Sequence, residues 1–263
     1  MIALTRPVPG AIDRCELTHL ERTAIDLPRA RAQHAAYEAA LAALGCAIGH
    51  VPAADHLPDS VFVEDAAIVL DEIAVMTRPG AASRLEEVRE VAAALLPFRD
   101  LRWLGSPATL DGGDVLLLGR TLYVGTGGRS NHDGVEQLAV AVGPFGYDVR
   151  AVQARGCLHL KSAATALAPD LVLVNPEWIA PDTFGAAAVL TIDPAEPFAA
   201  NVLRVGGTVL CGAAFPRTRA RIAATGIETR TVDVSELAKA EGALTCCSLV
   251  FNRCPLTSLP TSR

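Results

Sequence analysis

Two adjacent cysteines, Cys246 and Cys247, lie in the apolar run Leu244–Phe251 and are suited to nucleophilic chemistry. A thiolate is the strongest nucleophile that a side chain can offer. The run predicts a strand, on which neighbouring side chains point to opposite faces, so one cysteine can face a pocket while the other packs. The alternative is that both are small core residues, because free cysteine is often buried.

Carboxylates interleaved with apolar side chains occupy residues 57–65, immediately before a predicted strand. This segment carries Asp59, Glu64 and Asp65 around Phe62. Such a charge run commonly lies on a solvated face, whereas buried acids need a compensating cation. The segment therefore indicates either an ordinary surface or a pocket for a cationic substrate.

A second acidic turn and one histidine complete a set that could support covalent catalysis. Asp111 and Asp114 flank two glycines, and His159 lies between two leucines. Alone, these would be a surface turn and a packed histidine. Together with a thiol they supply nucleophile, proton-transfer group and orienting acid. The surplus of acids favours a cationic electrophile such as a guanidinium, and arginine side chains would suit the carboxylate end of an amino acid.

A strand–turn–strand–helix–strand pattern repeats along the chain and must position these side chains. Arg84 and Arg129 fall at matching places, 45 residues apart, within the range of supersecondary repeats. Clear copies of the pattern span residues 66–104, 115–152 and 201–234, and looser copies span residues 2–51 and 162–193.

Capping residues predict where the helices of these units begin. Ser83 and Glu86 have the spacing of a capping box, and Ser130 and Asp133 open the helix of the next unit. A further alanine-rich helix is predicted over about Leu27–Leu44.

Five units of roughly 50 residues account for the whole chain and predict an α/β fold. One unit cannot bury its apolar face alone, so stacking around an axis predicts a single propeller-like domain over residues 1–263. An ordinary α/β sandwich is the alternative, but hairpins before the helices disfavour a doubly wound parallel sheet. The tail, residues 254–263, contains two prolines and no periodicity and is predicted to be frayed.

Composition limits the expected partners and compartment. The net charge is −6 with no basic cluster, which disfavours nucleic acid or an anionic membrane as partner. Neither a signal peptide nor a membrane-spanning run is recognisable. Seven cysteines without C-x-x-C spacing predict neither a disulfide framework nor a structural zinc site, so we expect a reducing cytoplasm. A homo-oligomer is compatible with the sequence, which does not determine the oligomeric state.

Five motifs, in order and spacing, resemble the dimethylarginine dimethylaminohydrolase family of the guanidine-modifying pentein superfamily. They are LPDSVFVED (57–65), TRPGAASR (77–84), ATLDGGDVL (108–116), LHLKS (158–162) and LTCCS (244–248). The likeness extends from about Leu17 to Asn252. It implies a pseudo-fivefold α/β propeller, the pentein fold, built from strand–strand–helix–strand repeats.

The resemblance also implies residue roles. Cys246 would be the nucleophile with Cys247 as its packed neighbour, His159 the proton-transfer group, and Asp111 the acid that orients the histidine and touches the guanidinium. Some relatives carry glutamate in place of Asp111. No cofactor or catalytic metal is implied, although relatives can bind zinc at the nucleophile as an inhibitor. The implied substrate-binding residues are Leu17 on a lid loop, Asp59, Glu64, Asp65, Arg84 and Arg129.

The implied reaction hydrolyses a C–N bond of a linear amidine. Nω-methylated L-arginine, a small molecule, would give L-citrulline and dimethylamine or methylamine through an S-alkylthiouronium on Cys246. An arginine deiminase-like hydrolase of another guanidine compound is one alternative. A non-catalytic pentein-fold binding protein is another, although such a chain should lack some of these residues. A cysteine hydrolase of amides would leave the acids unexplained.

Overall fold

Five three-stranded sheets dominate the computed structural model, which describes residues 1–253. The predicted frayed tail, residues 254–263, lies outside the described residues. The strands are β1 (Ile2–Thr5), β2 (Ala47–His50), β3 (Ala67–Val69), β4 (Ile73–Met76), β5 (Asp100–Trp103), β6 (Val115–Leu118), β7 (Thr121–Gly125), β8 (Asp148–Val152), β9 (Ala164–Ala168), β10 (Leu171–Val174), β11 (Ala188–Thr191), β12 (Leu203–Val205), β13 (Thr208–Gly212), β14 (Glu228–Val232) and β15 (Leu249–Phe251). The α-helices are α1 (Leu27–Ala43), α2 (Glu87–Leu95), α3 (His132–Val142), α4 (Leu160–Ala163), α5 (Pro216–Ala224) and α6 (Ser235–Ala238).

Each sheet is an antiparallel pair followed by a parallel third strand. We name the sheets blade 1 (β15, β1, β2), blade 2 (β3–β5), blade 3 (β6–β8), blade 4 (β9–β11) and blade 5 (β12–β14). In blades 1, 2, 3 and 5 a helix connects the second strand to the parallel third strand, which needs a crossover. Blade 1 joins the two ends of the described chain, because β15 pairs with β1. The predicted five-unit α/β propeller is confirmed.

The first strands of the blades lie innermost. Contacts join β15 to β3, β6 to β9, and β9 to β12, so neighbouring blades meet along these strands. Apolar clusters fill the spaces between neighbouring blades and their helices. In one of them Leu4 of blade 1 packs with Met76 of blade 2 and with Val91 and Leu95 of α2. Each fully buried aliphatic side chain of this kind contributes about 1.5–3 kcal/mol.

The helix starts differ from the capping predictions. Ser83 lies in a 3-10 turn, Ala82–Arg84, and its hydroxyl donates to Glu16 instead of capping α2. Glu86 precedes α2 without a side-chain cap. The cap of α3 is Asn131, whose side chain accepts from Gly134 N–H. The predicted capping box is therefore wrong, because tertiary partners take the serine hydroxyl.

No helix within residues 1–253 combines the length and the apolar composition that a membrane span requires.

Candidate active site

Short turns that precede the innermost strands bring the candidate residues to one end of the propeller axis. Asp65 lies in the turn before β3, Asp111 directly precedes the turn before β6, and His159 precedes α4 and β9. Cys246 lies in the turn before β15. Residues separated by up to 181 positions in the chain thus become neighbours, because the blades share an axis.

The cysteine pair lies in a 3-10 turn, Thr245–Cys247, and not on a strand as predicted. Cys247 is fully buried, and its thiol donates to the carbonyl of Ala243 at 3.3 Å. Cys246 is partly buried and lines a small cavity. The two cysteines do face different surroundings, but the geometry of a turn, rather than strand alternation, separates them.

His159 is buried between two carboxylates. Its Nε2 lies 3.0 Å from Asp111 Oδ2, and its Nδ1 lies 3.8 Å from Asp65 Oδ1. Burial disfavours the imidazolium, but the charge of Asp65 and the hydrogen bond to Asp111 outweigh it and raise the pKa of His159 to about 9. The ring is therefore protonated at neutral pH and can serve as a general acid.

Asp65 and Arg84 form a buried ion pair beside the histidine. Arg84 Nη1 donates to Asp65 Oδ2 at 2.5 Å, and Gly113 N–H donates to Asp65 Oδ1 at 2.9 Å. Burial raises the pKa of Asp65, yet His159 and Arg84 together lower it to about 2. Arg84 also donates to Glu87 and to the carbonyl of Phe62, so most of its donors have protein partners.

Asp114 and Ser130 hold the histidine and its acid in place, and the family resemblance implied a role for neither residue. The backbone N–H of Asp111 donates to Ser130 Oγ, which donates to Asp114 Oδ2 at 2.7 Å. Asp114 Oδ1 accepts from Leu160 N–H, directly after His159. Burial raises the pKa of Asp114 to about 6. The second acid of the D-G-G-D turn was the signal that could have revealed this network.

Glu64 lies beneath the site rather than in the lining of the small cavity. Its carboxylate accepts from Lys161 Nζ and from Thr245 Oγ1, both at 2.6 Å. It also lines a channel of about 520 Å³. The substrate contact expected of Glu64 stays a prediction, since both of its oxygens have partners in the protein.

A loop of residues 16–20, here called the lid loop, lies over the cavity. Asp59, which is buried, accepts from Glu16 N–H, and burial raises the pKa of Asp59. Arg129 Nη2 donates to Thr18 Oγ1 at 3.2 Å. Leu17 is partly buried against the core of blades 1 and 5 and does not line the cavity. The predicted residues that do line it are Asp59, Asp65, Arg84, Arg129, His159 and Cys246.

Three side chains, His159 and two neighbouring acids, offer atoms of the kind that ligate metal ions. One ligand atom each of Asp65, Asp111 and His159 lies within 4.8 Å of the others. Asp65 is already paired with Arg84, however, and a metal ion would have to displace the proton that the neighbouring acids hold on His159. The arrangement is better suited to hydrogen bonding and proton transfer than to metal binding.

The chain is similar over most of its length to known proteins, although no protein-family model matches it. It is 43% identical to N(G),N(G)-dimethylarginine dimethylaminohydrolase of Streptomyces coelicolor, over 93% of this chain and 94% of the relative. The chain belongs to the dimethylarginine dimethylaminohydrolase family. Identity to the dimethylarginine dimethylaminohydrolase of Pseudomonas aeruginosa is 32%, over 93% of this chain and 96% of that relative.

Solved structures of dimethylarginine dimethylaminohydrolase share the fold. A cysteine-to-serine mutant of the Pseudomonas aeruginosa protein, complexed with citrulline, has a TM-score of 0.90 at 30% identity, covering 95% of this chain and 98% of that chain. A histidine-to-glycine variant in adduct with S-methyl-L-thiocitrulline has a TM-score of 0.89 at 31% identity, with the same coverage. The predicted family membership and pentein fold are therefore confirmed.

Proposed function

We propose that this protein hydrolyses Nω-methylated L-arginine to L-citrulline and a methylamine. The observation that carries the proposal is a partly buried thiol, Cys246, beside the protonated His159 and the ionised Asp65 in one cavity. Membership of the dimethylarginine dimethylaminohydrolase family supports it, as do the citrulline and S-methyl-L-thiocitrulline complexes of the relatives. The enzyme is accordingly a hydrolase of C–N bonds.

The acids of the cavity suit a guanidinium. Asp59 and Asp65 line it, and Asp65 keeps its negative charge because His159 and Arg84 lower its pKa. A bound guanidinium would donate to these carboxylates and remain cationic, which keeps its central carbon electrophilic. Arg129, whose side chain is partly exposed at the lid loop, would meet the carboxylate at the amino-acid end.

The thiol of Cys246 is protonated before substrate binds. Burial, followed by the charges of Glu64 and Asp65, raises its pKa to about 12. A guanidinium placed beside Sγ would offset these charges and lower the pKa, so substrate binding itself favours loss of the thiol proton to water. The thiolate then forms a bond to the guanidinium carbon and gives a neutral tetrahedral adduct.

His159 transfers the protons that formation and hydrolysis of the covalent intermediate require. It donates its proton to the leaving nitrogen, so that dimethylamine or methylamine departs neutral and an S-alkylthiouronium cation remains on Cys246. Neutral His159 then accepts a proton from water as the water attacks the thiouronium carbon. Collapse breaks the C–S bond, the hydroxyl proton of the adduct passes to the leaving sulfur, and citrulline departs from a site that again holds a thiol and an imidazolium. Asp111 keeps the ring oriented through its 3.0 Å contact.

The two adjacent cysteines offer a matched pair of variants. Cys246→Ser is expected to lower kcat at least about 1000-fold, since a nucleophile cannot be replaced by its neighbours. Cys247→Ser should retain turnover, because its side chain packs away from the cavity. Citrulline formation from asymmetric dimethylarginine is the measurement. An active Cys246→Ser variant with an inactive Cys247→Ser variant would contradict the assignment.

The same assay on a panel of guanidines tests the substrate. We expect kcat/KM for asymmetric dimethylarginine and monomethylarginine to exceed that for arginine. A higher value for arginine would favour the deiminase-like alternative, and no citrulline from any guanidine would favour a binding protein.

A further inference from the structure

Three consecutive backbone amides of the lid loop donate to one carboxylate, that of Glu241. Thr18 N–H lies 3.0 Å from both carboxylate oxygens, and Leu20 N–H lies 2.6 Å from Oε1. His19 N–H donates to the same Oε1. An ionised acceptor makes each of these bonds stronger than a bond between neutral groups. Glu241 is thus a main attachment of the loop to the body of the protein.

The backbone of Glu241 has an uncommon left-handed conformation. Its φ of 56° makes it the only non-glycine residue with positive φ among residues 1–253. Such a conformation is uncommon without glycine and persists where the surroundings enforce it, often at functional sites. The next residue, Gly242, is pressed against Phe62, since a Cβ there would lie 2.2 Å from its ring. Close packing of this next residue therefore constrains the backbone from which the Glu241 side chain extends.

The same segment carries the nucleophile. Glu241 lies five residues before Cys246, and both side chains line the small cavity. The carbonyl of Ala243, between them, accepts from the thiol of Cys247. A contact that fixes the lid loop to Glu241 therefore also fixes the loop relative to the reacting thiol.

The cavity beneath the lid loop is too small for an amino acid. Its volume is about 20 Å³, and one water molecule needs roughly 10–15 Å³ on this measure. A methylated arginine does not fit this volume, so substrate entry and citrulline release require the segments around the cavity to move, the lid loop among them. Movement of the lid loop breaks the bonds between Glu241 and the amides of Thr18, His19 and Leu20, and its return reforms them.

We propose that Glu241 is a positioning residue that latches the lid loop over bound substrate and thereby sets substrate affinity. This inference rests on the proposed function for its substrate. The latch stabilises the closed complex without touching the reacting atoms. Without these bonds the loop of the free protein adopts open arrangements, and substrate binding must order it again. The bound substrate and the transition state share this cost, which raises KM and leaves kcat nearly unchanged.

Two variants separate the carboxylate from the strained backbone. Glu241→Gln keeps the side-chain length but removes the charge, and Glu241→Gly removes the acceptor at a residue that tolerates positive φ. We expect both to raise KM for asymmetric dimethylarginine at least tenfold while kcat changes less than threefold. Glu136→Gln, on the exposed face of α3, is the matched control and should behave as the unaltered protein.

Amide hydrogen exchange supplies a readout that does not depend on turnover. In both Glu241 variants the amides of Thr18, His19 and Leu20 should exchange at least tenfold faster, with exchange in the blades unchanged. Unchanged exchange at these amides, or a fall in kcat at constant KM, would overturn the latch. If the unaltered protein forms no citrulline, the proposed function fails, whereas the exchange comparison still tests the attachment of the loop.

Discussion

At the scale of single residues, the surrounding acids set the protonation of Cys246 and of His159. Glu64 and Asp65 add to burial in raising the pKa of Cys246, while Asp65 and Asp111 raise that of His159. Both groups therefore hold a proton near neutral pH. A cationic substrate beside these acids would offset their effect on the thiol, so we expect the thiolate to form mainly when a guanidinium is bound.

Alkylation of the free protein tests the raised pKa of the thiol. With a pKa of about 12, the thiolate fraction of Cys246 grows tenfold per pH unit, so its rate with neutral 2-chloroacetamide should rise steadily from pH 6 to pH 8. Cationic 2-chloroacetamidine should react faster, because its charge favours the thiolate. Mass spectrometry of the Cys246 peptide gives both rates, and a plateau below pH 8 would contradict the raised pKa.

At the scale of elements, the D-G-G-D turn before β6 is closely fitted to its surroundings. A Cβ on Gly112 would lie 2.0 Å from the carbonyl oxygen of Glu64. A Cβ on Gly113 would lie 2.6 Å from His159 Nδ1 and 2.8 Å from Asp65 Oδ1. Only glycine at these two positions lets the turn bring Asp111 to His159. The close approach of neighbouring atoms therefore explains why Gly112 and Gly113 carry no side chain.

Gly113→Ala tests that fit. The added methyl group should displace the His159 ring and lower kcat/KM about 100-fold, the usual effect of a misplacement near 1 Å. Gly105→Ala is the matched control, because a Cβ there meets nothing within 4 Å, and its activity should stay within about twofold. Citrulline assays, with circular dichroism to verify folding, compare the two. Equal activities would show that the turn tolerates a side chain.

At the scale of the whole molecule, one charged contact joins three blades at the axis. Glu64 precedes blade 2, Lys161 precedes blade 4 and Thr245 precedes blade 1, and they meet in two hydrogen bonds of 2.6 Å. The side chain of Glu64 is 8% exposed, so loss of its cation leaves a nearly buried charge. Because these contacts connect blades that are far apart in the chain, we infer that the chain folds as a single domain.

Lys161→Met should therefore lower the free energy of unfolding by about 3 kcal/mol, the cost of leaving a buried charge unpaired. Lys161→Met combined with Glu64→Met removes both charges and should recover at least half of that loss. Urea unfolding followed by fluorescence and by circular dichroism measures both variants. Two separate transitions would contradict a single domain, and an unchanged stability of Lys161→Met would contradict the importance of the ion pair.

The repeats and the chemical inventory were predictable from the sequence, because both depend on neighbours in the chain. The unit predicted over residues 115–152 matches blade 3, from the start of β6 to the end of β8, and helix α1 matches its predicted run, since the alternation of apolar segments and turns is local. The capping box at Ser83 and the strand through Cys246 were wrong. In both places short 3-10 turns, held by contacts from elsewhere in the fold, replace the expected element.

The sequence by itself determined the five-unit α/β architecture and the set of thiol, imidazole, acids and arginines. Only the tertiary structure decided which of these groups meet. It placed Cys246 at the cavity and Cys247 in the core, bonded Glu64 to Lys161, and brought Glu241 to the lid loop, 223 residues from Thr18. The physical reason is that periodicity and turn chemistry act over a few residues, whereas these contacts form only when five blades close around one axis.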